Sequence, residues 1–171
     1  MGLGCKAYKN IRQMTVEEIE YDEYKDEQLN VIERFPKNGK QFWLNKNFPH
    51  AAKDIRPDAV YTYEDSMSWM AGSYSGYNQW RSWLATIGGW TGSEEAWKTG
   101  EWGDPFFEMI NFSDCEGTLG TLVCQKLLKD FIEFQYRVDQ LSDQHSYNKE
   151  LYATWRKALE MAADNGAISF H

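Results

Sequence analysis

The chain has 171 residues, 42% of them hydrophobic and 26% charged, which fits one globular domain that buries about two thirds of its unfolded surface and excludes wholesale disorder. Its formal net charge of −8 and pI near 4.9 repel phosphate backbones, so nucleic acid is not an expected partner. No apolar run approaches the roughly 20 residues that span a bilayer, so a membrane is not an expected partner either.

The opening residues 3–11 are short, rich in small and aromatic side chains, and read as a strand; without the basic flank and apolar stretch of a secretory signal, they imply a cytoplasmic protein. Residues 15–27 carry seven carboxylates against Lys25, with Val16, Ile19, Tyr21 and Tyr24 interleaved. This is an acidic face with an apolar underside, either a solvated edge or helix or a docking strip for a basic partner. Residues 29–35 fit either regular state. Pro36 to Lys40 then reads as a turn, because proline fixes φ and Asn38-Gly39 tolerates positive φ. Gln41 to Leu44 is a short aromatic segment, and Pro49 and Pro57 make the next stretch a loop. Residues 60–70 alternate in part and suggest a strand.

Three helices follow. In the first, Tyr77, Trp80, Trp83, Leu84 and Ile87 recur at three- and four-residue intervals and Gly88-Gly89 closes it. The second runs from Thr121 to Leu141 with Val123, Leu127, Phe131, Phe134 and Val138 on one stripe. The third covers residues 147–163 with Leu151, Trp155, Leu159 and Ala162 buried, and Asn165-Gly166 stops it. Residues 90–104, rich in Gly and Trp, read as a long surface loop, residues 106–112 as a buried strand, and residues 167–171 as a short extended tail. The expected fold is a single α+β domain. A small, mostly antiparallel sheet is covered by about three α-helices, with residues 1–58 an acidic, less regular part and residues 59–171 the helical part.

Two stretches combine features that bind ligands. Residues 72–81, GSYSGYNQWR, put two glycines and two serines before a helix, whose N-terminus offers free N–H groups. Ser73, Tyr74, Ser75, Tyr77, Trp80 and Arg81 are the candidates there, although Ser75 as a helix cap with the aromatics in the core explains the same pattern. In residues 111–120, an apolar run leads through a polar turn to a helix, the position where ligands sit in open sheets, and Asp114, Glu116 and Gly117 are the candidates. The competing view is that Asp114 caps the helix and Glu116 favours its dipole. Arg156 on the third helix is a further candidate, with surface pairing to Glu150 or Glu160 as its alternative.

The cysteines offer a further chemistry to weigh. Cys5, Cys115 and Cys124 are odd in number and lack CxxC spacing, which fits reduced thiols. Cys115 with His145 or His171 as base would make a nucleophile, but Asp114 and Glu116 oppose a thiolate. No zinc spacing is present, so neither a metal nor a cofactor is expected.

The blocks SGYNQWR (75–81), FSDCEGTLG (112–120) and WRKALEMAADNG (155–166), with the terminal Phe170-His171, resemble a set of small uncharacterised bacterial and phage-associated proteins. The resemblance covers about half of the chain. It implies no activity, only that the three blocks belong together around one cleft.

Three functions fit these readings. The first is a non-catalytic protein with a cleft for a small polar ligand, such as a nucleotide-like metabolite or a sugar. The second is an acidic module, of an immunity or anti-defence type, that neutralises a basic partner; its eight tryptophans also make a homodimer a reasonable expectation. The third is a hydrolase or transferase using Asp114, Glu116 or Cys115.

Overall fold

The computed structural model describes residues 2–171. Its strands are β1 (Gly2–Lys9), β2 (Arg12–Gln13), β3 (Tyr21–Lys25), β4 (Val31–Pro36), β5 (Lys40–Gln41), β6 (Val60–Thr62), β7 (Asp65–Ser73), β8 (Gly117–Leu119) and β9 (Ala167–Phe170). Its helices are α1 (Tyr74–Gly88), α2 (Ser93–Thr99), α3 (Phe107–Ile110), α4 (Thr121–Glu133), α5 (Gln135–Asp139) and α6 (Ser146–Ala162).

β1 organises the molecule by sending alternate side chains to opposite faces. Leu3, Cys5 and Ala7 enter the main core, whereas Tyr8 belongs to a second, smaller core with Phe42, Ile55 and Tyr61. A strand covered on both sides belongs inside a sheet, and β1 pairs antiparallel with β7 and β9 in the order β7-β1-β9-β8. The helices α1, α4 and α6 cover the Cys5 face, which is the α+β arrangement the sequence implies. β2, β6 and β5 form a small second sheet, and β3 and β4 form a separate two-stranded ribbon.

The helices follow from their apolar spacing. In α1, Tyr77, Trp80, Leu84 and Ile87 are buried, and Gly89 ends the helix at φ 109°. Ser73 caps it, its hydroxyl accepting the Gly76 N–H at 3.0 Å, so Ser75 is not the cap. α6 buries Leu151, Trp155, Leu159 and Ala162. The single helix expected over residues 121–141 breaks at Phe134, where ψ is 3° and the ring packs 5.4 Å from Phe106, and it resumes as α5. Nor does Asp114 cap α4. Asp54 does so, accepting the Leu122 N–H at 3.2 Å, and a Cβ at Gly120 would meet the same carboxylate at 2.0 Å.

Three other expectations are corrected. Residues 106–112 are buried but form the short helix α3, because a continuous apolar run does not separate a strand from a buried helix turn. Phe106 opens that turn at φ 59° and donates its N–H to Asp130 at 2.9 Å. Lys126 holds the same corner, its ammonium 2.5 Å from Glu108 and 2.6 Å from Asp130. Residues 90–104 are no bare loop: Ser93, Glu94 and Glu95 start α2, and Ala96 is buried against α1 and α3. Finally, the acidic segment has no buried underside. All of β3 and nearly all of β4 are exposed on both faces of the ribbon.

The extended tail is a central strand. β9 pairs Cys5 with Phe170 and Ala7 with Ile168, and His171 exchanges both backbone hydrogen bonds with Gly4, at 2.8 and 2.9 Å. Gly166 lets the chain turn into this strand, since a Cβ there would meet the Tyr8 carbonyl oxygen at 1.8 Å.

Candidate functional site

The polar turn before β8 stands between two concavities. Ser113 shapes it by accepting the N–H groups of Cys115 and Glu116 at 3.3 and 3.2 Å. Gly117 follows at φ 131°, where any Cβ would meet the Phe112 ring at 2.7 Å. The segment after β5 is clamped onto this turn: Thr118 donates to the Trp43 carbonyl at 2.7 Å, and Asn45 donates to that of Glu116 at 3.1 Å. Trp43 is thereby held with 53% of its surface in solvent.

The first cavity, of about 600 Å³, has walls from Lys40, Gln41 and Trp43, from Tyr74 at the start of α1, from residues 115–118, and from residues 169–171. The second, of about 530 Å³, lies on the other side of Trp43, Cys115 and Glu116 and reaches Asn45, Phe48, Arg81 and Asp114. Ser169 is 6% exposed; its hydroxyl makes no bond of full hydrogen-bond geometry, but it lies close enough to the Tyr8 hydroxyl to oppose the upward shift that burial imposes on that group. Cys115 is exposed, whereas Cys5 and Cys124 are buried, and burial drives both of those thiols far above their usual range.

The candidates separate by position. Tyr74, Glu116 and Gly117 line the first cavity, and Arg81, Asp114 and Glu116 the second. Ser73 is committed to its cap, and Ser75 is exposed beside it. Tyr77 and Trp80 are buried in a stack with Trp155, with ring centroids 6.1 and 6.0 Å from it, and so offer no surface to a ligand. Arg81 is buried too; it donates to the carbonyls of Ile110 and Phe112 and to the Asn78 side chain, which in turn donates to Asp114 at 2.8 Å. This relay closes the gap between the two turns. Arg156 lies away from both cavities, bound to Gln135 and Glu160 at 2.9 and 3.3 Å. The three sequence blocks meet in the core through the Asn78–Asp114 bond and the Tyr77, Trp80 and Trp155 stack, and parts of them also line the two cavities.

No protein-family model, curated protein or solved structure matches the chain.

Sequence reasoning missed Lys40, Gln41, Trp43 and Ser169 as cavity residues. Trp43 alone carried a usable signal, a large aromatic beside the Asn38-Gly39 turn with no periodic partner. Lys40 is half-buried, and its ammonium is held below the usual lysine range by that burial and by the nearby Lys6 charge. Among the described residues, no three His, Cys, Asp or Glu side chains converge as metal donors, and no helix is long and apolar enough to cross a membrane.

Proposed function

We propose that this protein binds a small polar ligand with a planar part in the cavity between Trp43, Tyr74 and the Gly117 turn. The observation that carries this reading is the Trp43 ring, held half in solvent on the wall of the roughly 600 Å³ cavity by the bond from Thr118 to its carbonyl. The exposed Trp43 supplies a stacking surface across the same cavity, whose volume suits a metabolite-sized ligand. Stacking on an aromatic side chain is worth about 1–3 kcal/mol per base, so Trp43→Ala is expected to weaken ligand binding about tenfold or more. Titration of the purified protein with nucleosides and sugars, followed by tryptophan fluorescence and thermal shift, checks this. A panel that produces neither quenching nor stabilisation at millimolar concentration overturns the reading, as does equal binding by Trp43→Ala.

A second reading, docking of a basic protein, rests on the β3–β4 ribbon. Between Thr15 and Pro36 stand eight carboxylates against Lys25 and Arg34, a net of −6 out of the chain's −8. The register divides the ribbon into unlike faces: Glu23 and Arg34 pair at 2.5 Å beside Tyr21 on one, whereas Asp22 and Glu33 flank Tyr24 and Phe35 on the other with no cation between them. Uncompensated acids around aromatic anchors suit a basic, partly apolar surface. Tyr24→Ser with Phe35→Ser is expected to cost no more than about 1.5 kcal/mol, the contribution of one edge-to-face ring pair on an exposed ribbon. The same pair is expected to weaken a basic partner about thirtyfold. Pull-down at low and high salt with wild type and the double variant decides it. Recovery of nothing, or of the same proteins by both forms, sinks this reading.

A further inference from the structure

The face of the sheet turned away from the helices carries a row of polar side chains. Strand register aligns Ser68, Lys6, Ser169 and Thr118 across β7, β1, β9 and β8, so Ser169 stands directly beside Lys6. Lys6 also opens a third concavity, of about 420 Å³, with Lys37 and Lys40. Lys40 lines both this notch and the Trp43 cavity, so the two meet at its side chain.

Three lysines gathered in one notch are unexpected in a chain with 26 carboxylates and 18 basic residues. Among the described residues, none of the three forms an ion pair, although Lys9 on the same strand reaches both Glu64 and Asp164. Lys6 and Lys40 instead crowd one aromatic ring. Their ammonium nitrogens lie 5.3 and 5.9 Å from the Tyr8 ring centre, with Tyr63 5.7 Å from Lys6 and Phe42 5.8 Å from Lys40. Ring faces attract each cation separately, yet nothing on the protein offsets the repulsion between the two. An anion seated between them removes that repulsion and gains charge-assisted hydrogen bonds.

We propose that Lys6, Lys37 and Lys40 form an anion-binding notch that receives the phosphate-like end of the ligand whose planar part stacks on Trp43. The ligand class is then a phosphorylated planar metabolite, of the nucleoside diphosphate kind. A net negative protein takes up such a molecule through this one basic concavity, and the acidic surface around it discourages longer polyanions. The assignment of the planar end rests on the cavity reading above; that of the anionic end does not.

The test uses inorganic pyrophosphate for the charged end and adenosine for the planar end, each titrated into isotope-labelled protein at low ionic strength and followed by amide resonances. Pyrophosphate is expected to move Lys6, Lys40 and Ser169 and to bind about tenfold more weakly to Lys6→Gln with Lys40→Gln than to wild type. The single variant Lys37→Gln, at an exposed turn, is expected to weaken pyrophosphate as well and serves if the double variant loses its dispersed spectrum. Pyrophosphate that moves none of these resonances at millimolar concentration, or that binds wild type and the lysine variants alike, overturns the notch. Adenosine that fails while pyrophosphate succeeds overturns only the planar assignment.

Discussion

Arg81→Leu is expected to cost about 3–5 kcal/mol of unfolding free energy, close to the largest single loss this protein can show. The guanidinium is buried, and it satisfies the carbonyls of Ile110 and Phe112 as well as Asn78. Leucine leaves the Phe112 carbonyl and the Asn78 side-chain oxygen without that donor, whereas the Ile110 carbonyl keeps the Trp97 indole N–H at 3.1 Å; each orphan costs about 1–3 kcal/mol. The same change releases Asn78, whose amide fixes Asp114 and hence the turn that separates the two cavities. Arg81→Lys keeps the charge but not the planar fork, so it is expected to recover only part of the loss. Urea unfolding of the three forms measures this. A loss below about 1 kcal/mol for leucine would mean that the carbonyls find other partners.

Lys126→Met is expected to destabilise by about 3–5 kcal/mol near neutral pH, because it strips the one cation from two buried carboxylates, Glu108 and Asp130. This penalty depends on pH with a definite sign. Burial holds the Asp130 carboxyl above the ordinary aspartate range even in the wild type, against the opposing pull of Lys126. An acid whose folded value is raised keeps its proton longer in the folded state, so its contribution to stability is complete in acid and is lost as pH rises through the folded value. Removing Lys126 takes away the opposing pull and enlarges that dependence. The variant should recover much of its deficit between about pH 7 and pH 4, and Asp130→Asn added to it should flatten the profile. Unfolding curves across that range settle the matter: a deficit that does not change with pH means lost packing of the lysine stem rather than buried charge.

What could be read from the sequence depended on whether the determining contact was local. α1 and α6 follow from i, i+3 and i+4 spacing and from a stop at Gly89 or Asn165-Gly166, all information carried within one segment. The turn at Asn38-Gly39 and the strand β1 were legible in the same way. α2 was missed although Ser93, Glu94 and Glu95 make an ordinary helix start, because the surrounding glycines and tryptophans resemble loop composition. α3 escaped for a different reason: its turn is set by Phe106 at positive φ and by Asp130, 24 residues away. The cap of α4 by Asp54 is equally non-local. The candidate site divides along the same line. Tyr74, Glu116 and Gly117 lie in segments whose turn chemistry is visible, whereas Lys40, Trp43 and Ser169 join the cavity only through strand register and the Thr118–Trp43 bond. Tyr77, Trp80 and Arg81 illustrate the converse: residues suited to binding were recruited to fill and fasten the core.

The position of β9 between β1 and β8 governs how this chain folds as it is synthesised. β1 is made before β7 and can pair with it once residue 73 has emerged, but its other edge waits until residues 167–170 are made. Until then the nascent chain carries an open strand edge at the middle of its future sheet, the kind of template that pairs with other chains. Closure by so distant a segment is also slow, because the loop entropy is lost before the contacts form. Sheet completion thus waits on the last of its strands in chain order, and the interval before it is when the protein most requires protection from self-association.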